Sequence, residues 1–166
     1  MELLARCEED QRLRKAVMRA WSDRAAIPDE LAGELSRTDE SNTRWLSGLT
    51  ERRGWPGRTL VGDDGAHAAW LLAQHADLHP DLQRRFLDLL RAAVEVGEAS
   101  AADLAYLEDR VRVAAGQPQR YGTQFIDDGH GLRPRPIEDP DHLDQRRAAV
   151  GLGPFADYEA QLHRRD

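Results

Sequence analysis

Asp10 and Arg14 stand where an apolar stripe should continue. The first segment repeats Leu3, Cys7, Val17 and Trp21 at helical spacing, and positions 10 and 14 on that same face are charged, with Gln11 beside them. Charges on a packing face cost several kcal/mol unless they are paired and hydrogen-bonded. Two readings compete: an exposed i,i+4 ion pair, with Leu13 drawing the stripe aside, or a buried pair kept for chemistry. His75 poses the same choice, lying four residues after Leu71 and three after Leu72 on the inward-leaning side of its helix. It is either a core imidazole with a backbone partner or an acid or base poised near neutral pH. The stretch Gln119-Arg120-Tyr121-Gly122-Thr123-Gln124 gathers amide, guanidinium, phenol and hydroxyl groups where no regular structure can satisfy them, and Gly122 permits a tight turn or a close approach to a ligand.

Other chemistries are argued against by spacing. His75 and His79 at i,i+4 would suit one zinc ion on a continuous helix, yet Pro80 drives His79 towards an extended backbone. His67 sits about 80° around the helix from His75, and Cys7 is the lone cysteine. No metal site and no cofactor are therefore expected. There is no Walker loop, no dinucleotide fingerprint and no nucleophile elbow, since Ser22, Ser36, Ser41, Ser47 and Ser100 lack the flanking glycines.

The elements that must carry these residues are mostly helical. The first helix runs from Leu3 to about Trp21, and Ser22 to Pro28 reads as a break. A short helix over Asp29 to Leu35 is followed by a second, capped by Asp39, Ser41 or Asn42 and ended at Gly54-Trp55-Pro56-Gly57. A further helix spans about Asp63 to Ala76. Pro80 opens another at a favoured first-turn position, with Leu82, Phe86, Leu89, Leu90 and Ala93 as its stripe. Ser100 with Asp103 resembles a capping box for a helix ending near Ala115. Residues 117–138 then lose helical periodicity. Asp127-Asp128-Gly129-His130-Gly131 is a turn signal, and Pro134 and Pro136 confine any strand to a short or edge one, giving an irregular or hairpin-like arm. Two C-terminal helices follow within 139–165. The reading is a mainly α, single-domain bundle of about six to seven helices: a helical body over 1–116, the arm over 117–138 and the last helices over 139–165.

Composition bounds the partners. The 166 residues carry 23 basic and 30 acidic side chains, a net charge of -7, which argues against a nucleic-acid binder. Charged residues are 32% and apolar ones 40%, and no apolar run is long enough to span a bilayer. With no leader-like opening, a cytoplasmic protein without membrane attachment is expected.

Several short blocks resemble the bacterial domain-of-unknown-function family DUF6624: Asp10-Gln11 with Arg14, Gly54-Trp55-Pro56, Gln74-His75-Ala76-Asp77, Asp109-Arg110-Val111 with Gly116, Gln119 to Gln124, Pro136-Ile137-Glu138-Asp139, Arg146-Arg147 and Gly151-Leu152. The resemblance carries no reaction. It implies a set of polar positions that coincides with those above and adds Asp109. These would converge if the helices holding them packed under the arm.

The function expected from these residues is metal-independent acid–base catalysis (hydrolysis, elimination, cyclisation or isomerisation) on a polar small molecule or peptide. His75 would be the base or acid, oriented by Asp10 or Asp109, with Tyr121 a proton or hydrogen-bond donor. Gln11, Arg14, Gln119, Gln124 and Arg146 would bind substrate. The alternatives are a ligand-binding or protein-interaction module using the same cavity, and a buried hydrogen-bond network that only docks the arm. A homodimer is left open.

Overall fold

The structure, a computed structural model, describes residues 2–23, 25–128 and 131–164. The described residues form seven α-helices and one two-stranded sheet, so the protein is mainly α. The chain divides into two compact units, Met1–Ala99 and Ser100–Asp166.

The first unit contains α1 (Glu2–Ser22), α2 (Asp29–Arg53), α3 (Arg58–Gln74) and α4 (Pro80–Glu95). α1 packs against both α2 and α3, α2 packs against α3, and α3 against α4. Leu3, Leu13, Leu46, Leu72, Phe86 and Leu90 are buried between them, each such side chain contributing about 1.5–3 kcal/mol when fully removed from water. Pro80 occupies the first turn of α4 as its fixed φ predicts. The expectation of two helices between Asp29 and Arg53 is corrected, because α2 is one continuous helix. No proline or adjacent glycine pair interrupts that stretch. The Thr43 hydroxyl donates back to the Asp39 carbonyl at 2.8 Å, so a side chain that could cap a new helix supports the existing one instead. Asp39 thereby sits mid-helix with its carboxylate free to point sideways. α3 also begins earlier than expected, at Arg58, and Gly62 (φ 76) breaks its helical path just before the Asp63 start read from the sequence.

The second unit contains α5 (Ala101–Ala114), β1 (Phe125–Asp127), β2 (Leu132–Pro134), a 3-10 turn (Pro140–His142), α6 (Leu143–Ala149) and α7 (Phe155–His163). The Ser100 hydroxyl accepts the Asp103 N–H at 3.3 Å, the cap expected for α5. The arm is a short antiparallel hairpin pairing Phe125 with Pro134, Ile126 with Arg133 and Asp127 with Leu132. Pro134, which cannot donate, closes its end. Of the turn signal between the strands, Gly129 and His130 lie outside the described residues.

Candidate functional site

In the first unit, α1, α2 and the end of α3 bring Asp10, Gln11, Arg14, Asp39 and His75 together. Asp10 is fully buried (0% exposed) and Arg14 and His75 are largely so. This is the charged packing face that the α1 stripe signalled. Both Asp10 oxygens lie 3.0 Å from His75 Nδ1. Gln11 Nε2 donates to Asp10 Oδ2 at 2.9 Å and Arg14 Nε lies 3.1 Å from Asp10 Oδ1. Arg14 Nη2 donates to Asp39 Oδ1 at 2.6 Å. Burial pushes the Asp10 carboxyl up, but the hydrogen bonds from His75 and Gln11 and the Arg14 charge outweigh it, and the net shift is below the ordinary aspartate value. At Asp39 burial wins over Arg14 and the carboxyl is raised.

The tautomer of His75 follows from these contacts. Arg14 Nε lies 2.9 Å from Nδ1 as well, but it has one hydrogen, and Asp10 Oδ1 is also within its reach. A bare Nδ1 would set its lone pair against two oxygens of an ionised carboxylate. Nδ1–H donating to Asp10, with Arg14 Nε–H on Asp10 Oδ1, removes that repulsion. Nε2 is then the nitrogen with a lone pair, and it has no partner among the described residues. Arg14 Nη1 likewise has none.

His75 is held in place by its own turn. It is the first residue beyond α3, its N–H bonded to the Leu71 carbonyl. The buried Gln83 of α4 donates to the Gln74 carbonyl at 3.1 Å and to Asp77 Oδ1 at 2.9 Å, clamping the residues on both sides. His79 turns away to Glu40, with Nε2 2.5 Å from its carboxylate, so the pair His75–His79 does not share one site. Asp10, Asp39 and His75 do offer ligand atoms within 4.8 Å of one another, a spacing that could hold a metal ion. The Arg14 guanidinium already contacts all three, taking the place such a cation would occupy.

The Asp10 shift has a sign that can be tested. A carboxyl lowered in the folded state contributes stability above its unfolded value, about pH 4, and loses it as pH falls through the folded value. Asp10→Asn is expected to be less stable than wild type by about 2 kcal/mol at pH 7, as befits lost hydrogen bonds to a charged group. That gap narrows from pH 4 downwards in denaturant titrations. A gap independent of pH would mean Asp10 is not the ionised partner of His75 and Arg14.

The second unit gathers the remaining sequence candidates around the arm. Asp109, on α5 and 0% exposed, accepts the Arg120 N–H at 2.6 Å, the Tyr121 and Thr123 N–H groups at 3.1 Å and the Thr123 hydroxyl at 3.0 Å. Burial raises its carboxyl above the ordinary value against the pull of those donors. Gln119 donates to the Gln124 and Arg135 carbonyls, both at 2.9 Å, and accepts the Gln124 N–H at 2.8 Å. Arg146 Nε donates to the Arg120 carbonyl at 2.8 Å, and its Nη2 reaches the Glu138 and Asp139 carbonyls. Arg147 donates to the Tyr121 carbonyl at 2.6 Å, and the Tyr158 hydroxyl reaches the Thr123 carbonyl. Every backbone N–H and C=O of residues 120, 121, 123 and 124 therefore has a partner, nearly all from side chains. At Gly122 φ is 69, and an added Cβ would lie 2.7 Å from the Phe155 ring, so only glycine suits the turn. Burial raises the Tyr121 phenol, which keeps its proton.

The model of a family of unknown function, DUF6624, matches residues 1–164. The chain belongs to that family. Comparison with curated proteins and with solved structures finds no match. The sequence blocks that carried the resemblance sort by unit: Asp10-Gln11, Arg14 and Gln74 to Asp77 build the first cluster, whereas Asp109, Gln119 to Gln124 and Arg146-Arg147 satisfy one another in the second. Asp39 is the site residue that sequence reasoning missed. Its position offered only a helix-cap signal, although Arg14 on a packing face needed a second carboxylate.

Proposed function

We propose that this DUF6624 protein is a small enzyme of acid–base chemistry, with His75 Nε2 as the base. One observation carries the reading: a histidine whose Nδ1 faces a buried, ionised aspartate while its Nε2 has no partner among the described residues. Asp10 would select the tautomer and stabilise the imidazolium that forms when Nε2 takes a proton, the role an aspartate plays in Asp–His pairs generally. Arg14 would meet developing negative charge through Nη1. Asp39 would hold that guanidinium in place through the Arg14 Nη2 bond. The second-unit residues have a sufficient occupation in holding the arm, so the chemistry is assigned to the first cluster alone. These groups serve hydrolysis, elimination, cyclisation or isomerisation of a polar small molecule or peptide.

Two measurements test this. Nitrogen-detected NMR of the imidazole is expected to show His75 as the Nδ1–H tautomer above its titration, and an Nε2–H tautomer would remove the base. Wild type and His75→Gln are then incubated with a bacterial metabolite extract and a peptide digest, followed by mass spectrometry. A compound consumed by wild type should be consumed about 10²–10⁴-fold more slowly by the variant. Compounds retained equally by both proteins, with none consumed, would make the protein a binding module.

A further inference from the structure

We propose that the groove beside this cluster selects a substrate carrying a short aliphatic chain with a cationic amino group. The inference rests on the acid–base reading and names the substrate class for the same site. A groove of about 240 Å³ is lined by Val17, Ile27, Leu35 and Leu78, with Asp39 and Asp77 as its charged residues. Among the described residues, no basic side chain lines it. Asp39 is the wall it shares with the cluster. One oxygen of Asp39 takes the Arg14 Nη2 bond, and the other, Oδ2, has no partner among the described residues. Asp77 sits two residues beyond His75 in the turn clamped by Gln83, adding a second negative charge at the His75 end.

The combination is selective. Apolar walls favour a short aliphatic chain and exclude a strongly hydrated ligand body. The unpartnered Asp39 oxygen accepts from an ammonium or guanidinium, forming a charge-assisted bond in a largely buried setting. A carboxylate would find no donor on Asp39 Oδ2 and would meet its like charge. Ile27 and Leu78 are among the large apolar side chains left exposed, at 40% and 56%, as expected for a groove rim that a ligand covers.

The probes are n-hexylamine, hexanoate and 1-hexanol, titrated against the full chain while the methyl signals of Ile27 and Leu78 are followed by NMR. Hexylamine is expected to shift both signals saturably and to bind at least about tenfold more tightly than the alcohol, with hexanoate weakest. Asp39→Asn should reduce that preference for the amine to near parity. Ala32→Phe, which fills the groove and leaves Asp39 in place, should abolish binding of all three. Equal binding of amine and alcohol, or an amine preference that survives Asp39→Asn in a folded variant, overturns the assignment. Loss of the amine preference with the His75 tautomer intact therefore fails this inference alone, and an Nε2–H tautomer with the preference intact fails only the acid–base reading.

Discussion

Asp109→Ala is expected to lower the thermal unfolding midpoint by about 10–15 °C. The carboxylate is the shared acceptor for three backbone N–H groups and a hydroxyl from residues 120 to 123, and alanine leaves all four in a buried site without one. Each orphaned buried donor costs about 1–3 kcal/mol, partly recovered by relaxation and water entry, for a total of about 3–5 kcal/mol. In a chain of this size about 1 kcal/mol moves the midpoint by about 2–4 °C. Asp109→Asn is the informative control. It keeps one oxygen acceptor but turns an NH2 group towards the Arg120, Tyr121 and Thr123 donors, so it should fall between wild type and alanine. Differential scanning calorimetry of the three proteins decides the point. A loss below about 3 °C for alanine would mean that the arm holds its turn without this carboxylate.

Arg147 should show an unusual order of substitutions, with wild type most stable, methionine second and lysine last. Its side chain is 2% exposed, donates to the Tyr121 carbonyl at 2.6 Å and the Gly153 carbonyl at 2.7 Å, and lies over the Tyr158 and Phe155 rings at 5.1 and 5.7 Å. Burial lowers its pKa, the mark of a charge held away from water. Methionine follows the stem as far as Nε and removes the buried charge, but loses the guanidinium's contacts with the rings and orphans two carbonyls, for a net cost of about 2–3 kcal/mol and about 5–10 °C. Lysine cannot span both carbonyls with a planar fork and buries a more strongly hydrated ammonium. It should therefore lose more than methionine, about 10 °C or more. Lysine matching wild type in the same calorimetric series would show that charge, rather than the two-carbonyl geometry, is what the position requires.

These two residues explain why part of the candidate site was legible in sequence and part was not. The excess of polar groups near Asp109 and in Gln119 to Gln124 was visible as residue types. Their complementarity was not, because it depends on backbone donors and acceptors exposed by one particular turn, and side-chain spacing carries no record of which groups that turn leaves unpaired. The same holds for Asp39. A residue that the local sequence marks as a helix cap becomes a mid-helix carboxylate once α2 runs unbroken, and its partner Arg14 is 25 residues away along the chain.

The sequence by itself determined most of the helices, through period and punctuation, but not the unbroken run of α2. Leu3 to Trp21, Pro80, Ser100 and the paired prolines of the arm set local φ and hydrogen-bonding choices that need no distant partner. It also placed Asp10 and Arg14 on a stripe with Leu3 and Val17, with an exposed and a buried pair both left open. Only the tertiary structure decided which polar groups meet. Pairing Asp10 with His75 needs contact across 65 positions, set by how α1 packs on α3. Side-chain packing and desolvation, rather than local propensity, choose such contacts, and they also leave Nε2 of that histidine open while every amide N–H from Arg120 to Gln124 outside Gly122 is engaged.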